Sequence, residues 1–295
     1  MRSAIKERAG VAVVRVGAIG DTLVLFPLLA ELRRRGAARI VAIGREEVFA
    51  IAAEDGWCDE ARSSESIGWW TVASDVDLDP RVARSLRGVD VLVDLDQASF
   101  SPRRLAAIGP RDRIAVPPLP PPAWDRPAAR FYLDSLGFIE APEFVASPRA
   151  RRDPPPPSAP LVLVPGAGSP RKRAPVAWFA AIAREAERRG IGVIAVAGEA
   201  DAAAIPELRS LRAPVSDVWT NVALAELVRR LACARAFVSN DGGIAHLAAY
   251  AGLRGVVRFL ASDAKVWSPP SPRVRALLPD DDASPAAIVD ALSAS

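Results

Sequence analysis

The sequence predicts an α/β protein with two domains, each built on a parallel sheet. Short apolar runs alternate with helical patterns along all 295 residues, and a proline-rich stretch interrupts the alternation near the middle. The length suits one large domain or two modest ones. With 50% hydrophobic and 25% charged residues, the composition excludes a disordered chain. In a two-domain protein with parallel sheets, a ligand is expected between the domains, at the carboxyl ends of the strands.

The first domain is predicted to span residues 1–150. Apolar runs of strand length indicate buried strands, and the glycines at 36 and 137 mark helix ends. The proline cluster Pro117–Pro122 is expected to be a surface loop. The predicted strands are Val11–Val16, Ile40–Ile43, Val89–Asp94 and Ile114–Val116, and the predicted helices are Leu23–Arg35, Glu46–Ala53 and Trp124–Leu136.

A linker is predicted over residues 151–160, because its four consecutive prolines favour an extended spacer. The second domain follows over 161–295, and its last helix, 285–294, is expected to pack back on the first domain. Ser284 and Pro285 supply the cap and the first-turn proline of that helix. The predicted strands are Leu161–Val164, Val193–Ala197, Ala236–Ser239 and Val256–Leu260, and the predicted helices are Ala177–Arg189, Ala202–Leu211, Ala223–Leu231, Ala245–Ala251 and Ala286–Leu292.

Charge and cysteine content exclude several function classes. The 38 Lys and Arg residues against 35 Asp and Glu residues give a net charge of +3, too small to argue for nucleic acid. No apolar run approaches the length that spans a bilayer, and the N-terminus lacks the apolar core of a signal peptide. Cys58 and Cys233 form no metal or redox spacing, which favours a reducing cytoplasm, and the single histidine excludes a histidine metal cluster.

The segment Arg15–Thr22 joins the first strand to the first helix. Gly17 and Gly20 let the backbone turn tightly and leave room for a ligand. Asp21 is then at a helix N-terminus, where its carboxylate could accept a proton from a substrate hydroxyl. The alternative is an ordinary N-cap, which the local pattern by itself favours over the catalytic role. The glycine spacing does not match the dinucleotide fingerprint.

The segment Pro165–Pro175 follows the first strand of the second domain. Its glycine turn, with Gly166 and Ala167, precedes three basic residues that suit a phosphate, and Lys172 is a point charge there. A solvated basic loop is an equally good interpretation. The segment does not meet the P-loop pattern.

The segment Ser239–His246 joins another strand to a helix. Gly242 and Gly243 can expose successive backbone N–H groups at the helix N-terminus, an arrangement that binds a diphosphate. His246 would lie in the first turn, near the same anion. The alternatives are a packing role for His246 and a capping role for Asp241.

Two acidic residues follow the predicted strand Val193–Ala197. Glu199 or Asp201 could hold the hydroxyls of a ribose, although caps and solvated loops are as common for such residues.

Five segments, in this order, resemble glycosyltransferase family nine, the lipopolysaccharide heptosyltransferase family. The match departs from the family pattern at Gly242, where Ser or Thr is usual, and at Ala174, where Trp is usual. The segments are Arg15…Gly20-Asp21…Pro27, then Val89–Gln97 against "D-L-V-I-D-L-Q", Pro165-Gly166-Ala167…Lys172…Pro175 against "P-G-A…K-x-W-P", Asn240-Asp241-Gly242-Gly243…His246-Leu247 against "D-[ST]-G…H-L", and Phe259…Ser262-Asp263…Trp267…Pro269 against "F-G-x-T-D…W-x-P".

The resemblance implies a GT-B fold, with two Rossmann-like domains facing a central cleft. It also implies inverting, metal-independent transfer of a sugar, usually a heptose from an ADP-sugar, to a lipopolysaccharide-core or related glycan acceptor. No cofactor is expected beyond this donor, and the protein would be cytoplasmic, with peripheral association at the inner membrane.

The resemblance also implies roles for individual residues. Asp21 would be the general base on the acceptor hydroxyl, and Lys172 would neutralise the departing diphosphate. The implied donor-binding residues are Gly166, Ala167, Lys172, Glu199, Asp201, Asp241, Gly242, Gly243 and His246, and the implied acceptor-side residues are Gly20, Asp21 and Gln97.

Two other functions remain open from the sequence. Gly242 and Ala174 motivate a non-catalytic nucleotide-sugar-binding protein of the same fold. A nucleotide-sugar epimerase is a third reading, disfavoured by the single histidine.

Overall fold

The computed structural model of the protein describes residues 5–96, 102–150, 155–198, 203–281 and 283–293. The chain forms two compact units, Met1–Val145 and Ala146–Ser295. Of the predicted linker, residues 151–154 lie outside the described residues. The remaining linker residues belong to the second unit, where the Arg235 guanidinium donates to the Pro157 carbonyl at 2.7 Å.

The first unit contains a five-stranded parallel sheet. Its strands are β1 (Gly10–Arg15), β2 (Arg39–Gly44), β3 (Glu60–Ser63), β4 (Val91–Asp94) and β5 (Asp112–Ala115), in the order β3-β2-β1-β4-β5. Its helices are α1 (Ile19–Leu23), α2 (Phe26–Arg34), α3 (Glu46–Glu54), α4 (Pro80–Ser85), α5 (Pro102–Ile108) and α6 (Ala128–Ser135), with a 3₁₀ helix at Trp69–Ala73. The strand order reverses between β1 and β4, and such a reversal opens a crevice at the carboxyl ends of the strands.

The second unit contains a six-stranded parallel sheet. Its strands are β6 (Leu161–Val164), β7 (Val193–Ala197), β8 (Asp217–Thr220), β9 (Ala236–Asn240), β10 (Gly255–Arg258) and β11 (Val274–Leu277), in the order β11-β10-β9-β6-β7-β8. Its helices are α7 (Val176–Arg188), α8 (Ala204–Ser210), α9 (Leu224–Ala232), α10 (Gly243–Tyr250), α11 (Ala264–Trp267) and α12 (Pro285–Ser293). Counted from β6, this is the 3-2-1-4-5-6 order of dinucleotide-binding folds, with its reversal between β6 and β9.

The core of the second unit explains its continuous apolar strands. Every residue of β6 and β9 is buried, as expected when helices cover both faces of a parallel sheet. Phe179 and Ile182 of α7 pack in the same cluster as Ile288 and Leu292 of α12. The predicted contact of α12 with the first domain stays a prediction. None of the helices in the described ranges is long and apolar enough to cross a bilayer.

The two-domain α/β architecture is confirmed, but two predicted helices have different boundaries. The helix predicted over Leu23–Arg35 is two helices, α1 and α2, and Pro27 lies in the first turn of the second, where a missing N–H is tolerated. The helix predicted from Trp124 begins only at Ala128, because Pro127 takes the extended cap conformation.

The sequence analysis did not predict three of the strands, β3, β8 and β11, because each is a short edge strand. Their sequences, EARS, DVWT and VRAL, are only partly buried and lack an apolar run. Charged and polar residues are typical of edges, where one side of the strand has no partner.

A glycine in β2 permits the close approach of β2 to β1. Gly44 pairs with Arg15, and a Cβ on it would lie 1.9 Å from the Arg15 carbonyl oxygen.

We expect Gly44→Ala to destabilise the protein by about 2 kcal/mol or more, because the backbone must move. Gly192→Ala is the control, since the space around Gly192 is open among the described residues, and it should cause no loss. Urea unfolding followed by tryptophan fluorescence measures both, and equal midpoints would contradict the predicted clash.

Candidate functional site

A buried asparagine joins two loops at the reversal point of the second sheet. Asn240, the last residue of β9, is fully buried. Its side-chain oxygen accepts from the Ala174 amide at 2.9 Å, and its side-chain nitrogen donates to the Pro165 carbonyl at 2.7 Å. Both ends of the loop that follows β6 are thereby fixed to the end of β9. The sequence analysis did not name Asn240 as a site residue. A polar amide at the end of an otherwise apolar strand, directly before a glycine-containing loop, could have indicated it.

Lys172, at the end of a short 3₁₀ helix, is paired with Asp241. The Lys172 Nζ lies 2.7 Å from Asp241 Oδ2, with the lysine side chain 34% exposed and the aspartate side chain 5% exposed. The Ser262 hydroxyl donates to the same carboxylate oxygen. A buried carboxylate needs such compensation, because an unpaired buried charge is expensive. Asp241 is therefore the anchor of Lys172, and its interpretation as a helix cap is wrong, since Gly242 is the N-cap of α10.

The first turn of α10 presents backbone amides next to this pair. The N–H groups of Gly243 and Ile244 have no acceptor within a helix that starts at Gly243, and they carry the positive end of its dipole. Gly242 is extended, with φ −176° and ψ 174°, and a Cβ there would lie 3.9 Å from the Ala167 Cα. A larger residue would therefore fit at 242. His246 is also in this first turn, where it is 9% exposed.

The three basic residues of the loop after β6 take three different positions. Arg171 is exposed and Lys172 is held by Asp241. Arg173 turns inward, and its guanidinium donates to the Ala167 carbonyl at 2.9 and 3.1 Å. Gly166 and Ala167 are buried at the base of the loop. The loop is thus an ordered structure rather than a uniformly solvated basic segment.

A groove of about 600 Å³ lies between α8 and the edge strand β8. At one end it is lined by Ala197 and Gly198, where β7 ends, and by Thr220 and Asn221, where β8 ends. No sequence pattern indicated this groove, because β8 was not predicted. Glu199 and Asp201 lie outside the described residues.

Asp21 lies in the first turn of α1, at the reversal point of the first sheet. Its Oδ2 accepts from the Ala18 amide at 3.1 Å and lies 3.8 Å from Nη2 of Arg15. The side chain is 32% exposed, and among the described residues both contacts reach Oδ2 rather than Oδ1. The carboxylate therefore satisfies the backbone amide of Ala18 through Oδ2. Ala18 is the N-cap of α1, so the interpretation of Asp21 as the N-cap is wrong. Gly20 lies inside α1 rather than in the turn that precedes it.

A second carboxylate stands at the same edge of the first sheet. Asp96 follows β4, and burial together with the charge of Asp94 raises its pKa above the usual range, against a hydrogen bond from Trp69 and the charge of Arg15. Asp94 itself is fully buried and paired with Arg113 at 2.5 Å. Sequence reasoning did not single out Asp96, and the predicted acceptor residue Gln97 lies outside the described residues.

A small polar pocket of about 230 Å³ adjoins this edge. It is formed where β1, β2 and β3 end, and its lining includes Gly17, Arg45, Glu47 and Ser63. Within the described ranges, no group of three or more His, Cys, Asp or Glu side chains could hold a metal ion.

Solved structures share the fold of this chain. A family 9 glycosyltransferase from Veillonella parvula DSM 2008 has a TM-score of 0.73 at 15% identity, over 95% of this chain and 90% of that one. The E. coli ADP-heptose lipopolysaccharide heptosyltransferase II has a TM-score of 0.71 at 18% identity, over 96% and 97%. E. coli heptosyltransferase WaaC with ADP has a TM-score of 0.63 at 17% identity, over 91% and 92%. The expected GT-B class, with two Rossmann-like domains, is confirmed.

The sequence itself matches a family model. No curated protein sequence gave a significant match. The model of glycosyltransferase family 9 (heptosyltransferase) matches residues 144–288, which include both loops joined by Asn240. The resemblance to glycosyltransferase family 9 is therefore confirmed for this domain, and the chain is a glycosyltransferase.

Proposed function

We propose that the protein transfers a heptose from an ADP-sugar to a lipopolysaccharide-core or related glycan acceptor, with inversion and without a metal ion. The observation that carries this proposal is the meeting of Lys172 and the α10 N-terminus at the reversal point of the second sheet. A cationic side chain beside unsatisfied helix-end amides is an arrangement that suits a diphosphate.

The diphosphate is the part of the donor that these groups bind. The amides of Gly243 and Ile244 donate to phosphate oxygens, and the partly exposed Lys172 ammonium faces the same charge. As the bond from the anomeric carbon to the phosphate oxygen breaks, negative charge grows on the leaving ADP. Fixed dipoles and a fixed cation stabilise this charge without reorganising, which is the role a metal ion would otherwise fill.

The nucleoside part of the donor fits the groove beside β8. Neighbouring strands are about 4.8 Å apart, so the groove end at β7 and β8 is about 10 Å from the loops after β6 and β9. This is the scale of a nucleoside diphosphate. The E. coli protein solved with ADP and the E. coli ADP-heptose transferase share this fold, which supports an ADP-linked donor here.

The acceptor is activated in the first unit. Asp21 Oδ1 takes the proton of the acceptor hydroxyl while the oxygen attacks the anomeric carbon on the face opposite the leaving group, which inverts that carbon. The pocket beside Gly17 offers carboxylate, hydroxyl and guanidinium groups, which hydrogen-bond to sugar hydroxyls. The cytoplasmic location and the peripheral membrane association stay predictions.

Substitution of Asp21 and of Lys172 separates the two halves of the reaction. Asp21→Asn should lower kcat by about 100- to 10,000-fold with ADP affinity unchanged, because only the base is lost. Lys172→Ala should weaken ADP binding and lower kcat as well. ADP release from ADP-heptose in the presence of a lipopolysaccharide-core acceptor measures turnover, and calorimetry measures ADP binding. Asp77→Asn and Arg275→Ala, at exposed positions outside the proposed site, are the controls. Parental turnover in both site variants would contradict the roles.

Restoring a hydroxyl at position 242 should strengthen donor binding. Gly242 has an extended backbone and space for a side chain, so Gly242→Ser is expected to fold normally. One added hydrogen bond of about 0.5–1.5 kcal/mol corresponds to about two- to tenfold tighter ADP binding. Calorimetry with ADP tests this against Gly192→Ser. An unchanged or weaker affinity would place the diphosphate away from residue 242.

Removing the Asn240 side chain should loosen the donor loops. Asn240→Ala leaves the Pro165 carbonyl and the Ala174 amide without their partner, at about 1–3 kcal/mol each. We expect a lower urea midpoint together with weaker ADP binding. Ser210→Ala, which removes an exposed hydrogen bond in the same unit, should change neither. Retained ADP affinity in Asn240→Ala would show that the loop position does not depend on this clamp.

A further inference from the structure

Arg15 is a buried cation at the end of β1. Its side chain is 4% exposed. Nη1 donates to the Leu95 carbonyl at 3.3 Å, and Nη2 lies 3.8 Å from Asp21 Oδ2. Nε has no hydrogen-bond partner in the described part of the chain. A buried guanidinium with so few partners is costly, because charge and donors are removed from water. Packing alone does not explain an arginine here, since an apolar side chain would fill the volume without that cost.

The charge of Arg15 acts on three acidic groups of the first unit. Besides Asp21 on α1, it opposes the raised pKa of Asp96 after β4. It also lowers the pKa of Tyr132 on α6, which burial and the charge of Asp21 nonetheless bring to about 12. Asp94, the remaining carboxylate beside Asp96, has Arg113 as its own partner. Arg15 is therefore the cation these elements share.

Gly17 leaves room for this contact. A Cβ at position 17 would lie 3.1 Å from Arg15 Nε, 3.1 Å from Asp21 Cβ and 3.3 Å from Asp21 Oδ2. A side chain at position 17 would clash with both Arg15 and Asp21. Glycine at this position therefore lets the two side chains approach each other.

The Lys172–Asp241 and Arg15–Asp21 ion pairs have opposite burial. In the second unit the buried partner is Asp241 and the exposed one is the cation Lys172, at 5% and 34%. In the first unit the buried partner is Arg15 and the exposed one is the carboxylate of Asp21, at 4% and 32%. In each pair the fold holds the buried partner in place. The more exposed partner, Lys172 or Asp21, is the group to which the proposed reaction gives a role.

We propose that Arg15 is the positioning residue of Asp21: it holds Oδ2 and so directs Oδ1 toward the acceptor hydroxyl. This inference rests on the proposed function of Asp21. Arg15 does not touch the substrate. It acts through Asp21, and through the Leu95 carbonyl it ties the β1–α1 loop to the end of β4.

Arg15→Gln tests the charge, because glutamine keeps a donor but is neutral. We expect kcat to fall by about 10- to 100-fold with the ADP dissociation constant unchanged, since a misplaced catalytic group costs rate rather than donor binding. Arg15→Lys should recover part of kcat. Gly17→Ala keeps every charge and should lower kcat by displacing the pair, so it tests the proposal even if Arg15→Gln folds poorly. Arg81→Gln, which removes an exposed arginine of the same unit, should leave kcat unchanged.

A second readout does not depend on turnover. In ¹³C NMR titrations of aspartate carboxyls, Arg15→Gln should raise the pKa of Asp96, because the charge that opposes its burial is gone. Full kcat in both Arg15→Gln and Gly17→Ala, or an unchanged Asp96 titration, would overturn the inference. If Asp21→Asn is inactive while these variants are fully active, only the role of Arg15 fails. If Asp21→Asn is itself fully active, the proposed function fails.

Discussion

The proposed donor site depends on the side-chain amide of one buried residue, Asn240. At the reversal point of a parallel sheet, neighbouring strands send their loops in opposite directions, so nothing in the sheet itself keeps those loops together. Asn240 supplies the missing connection with one accepted and one donated hydrogen bond. Because it is fully buried, both bonds form where competition from water is weak. Lys172 and the α10 N-terminus can then act on one ligand.

The same construction occurs in both units with its charges exchanged. Each unit has a parallel sheet whose order reverses beside its first strand, and each places an ion pair at that reversal. In the second unit, where we propose that phosphate binds, the carboxylate is buried. In the first unit, where we propose the base, the guanidinium is buried. An ion pair in which one member is buried loses little by exposing the other to a ligand, because the buried member stays hydrogen-bonded to the fold.

The two-domain fold and its central strands could be predicted from the sequence, because parallel strands buried on both faces have continuous apolar runs. The loops after β1, β6 and β9 were found by their glycines and charges. Edge strands such as β8 have no such run, so the groove beside β8 could not be predicted. The partners of charged residues were also hidden, because Arg15 and Asp21, or Asp241 and Ser262, meet only through the tertiary fold. For Asp21 the sequence suggested an N-cap or a base. The N-cap of α1 is Ala18 instead, and Asp21 accepts the amide of that residue from the first turn of the helix.

The proposed donor site requires a diphosphate at the start of α10, and backbone amide NMR tests this directly. ADP should shift the resonances of Gly243 and Ile244, whereas adenosine, which lacks phosphates, should shift those of Ala197 and Thr220 and leave the α10 amides unchanged. If saturating ADP leaves Gly243 and Ile244 unmoved, the diphosphate does not bind there and the donor site is elsewhere.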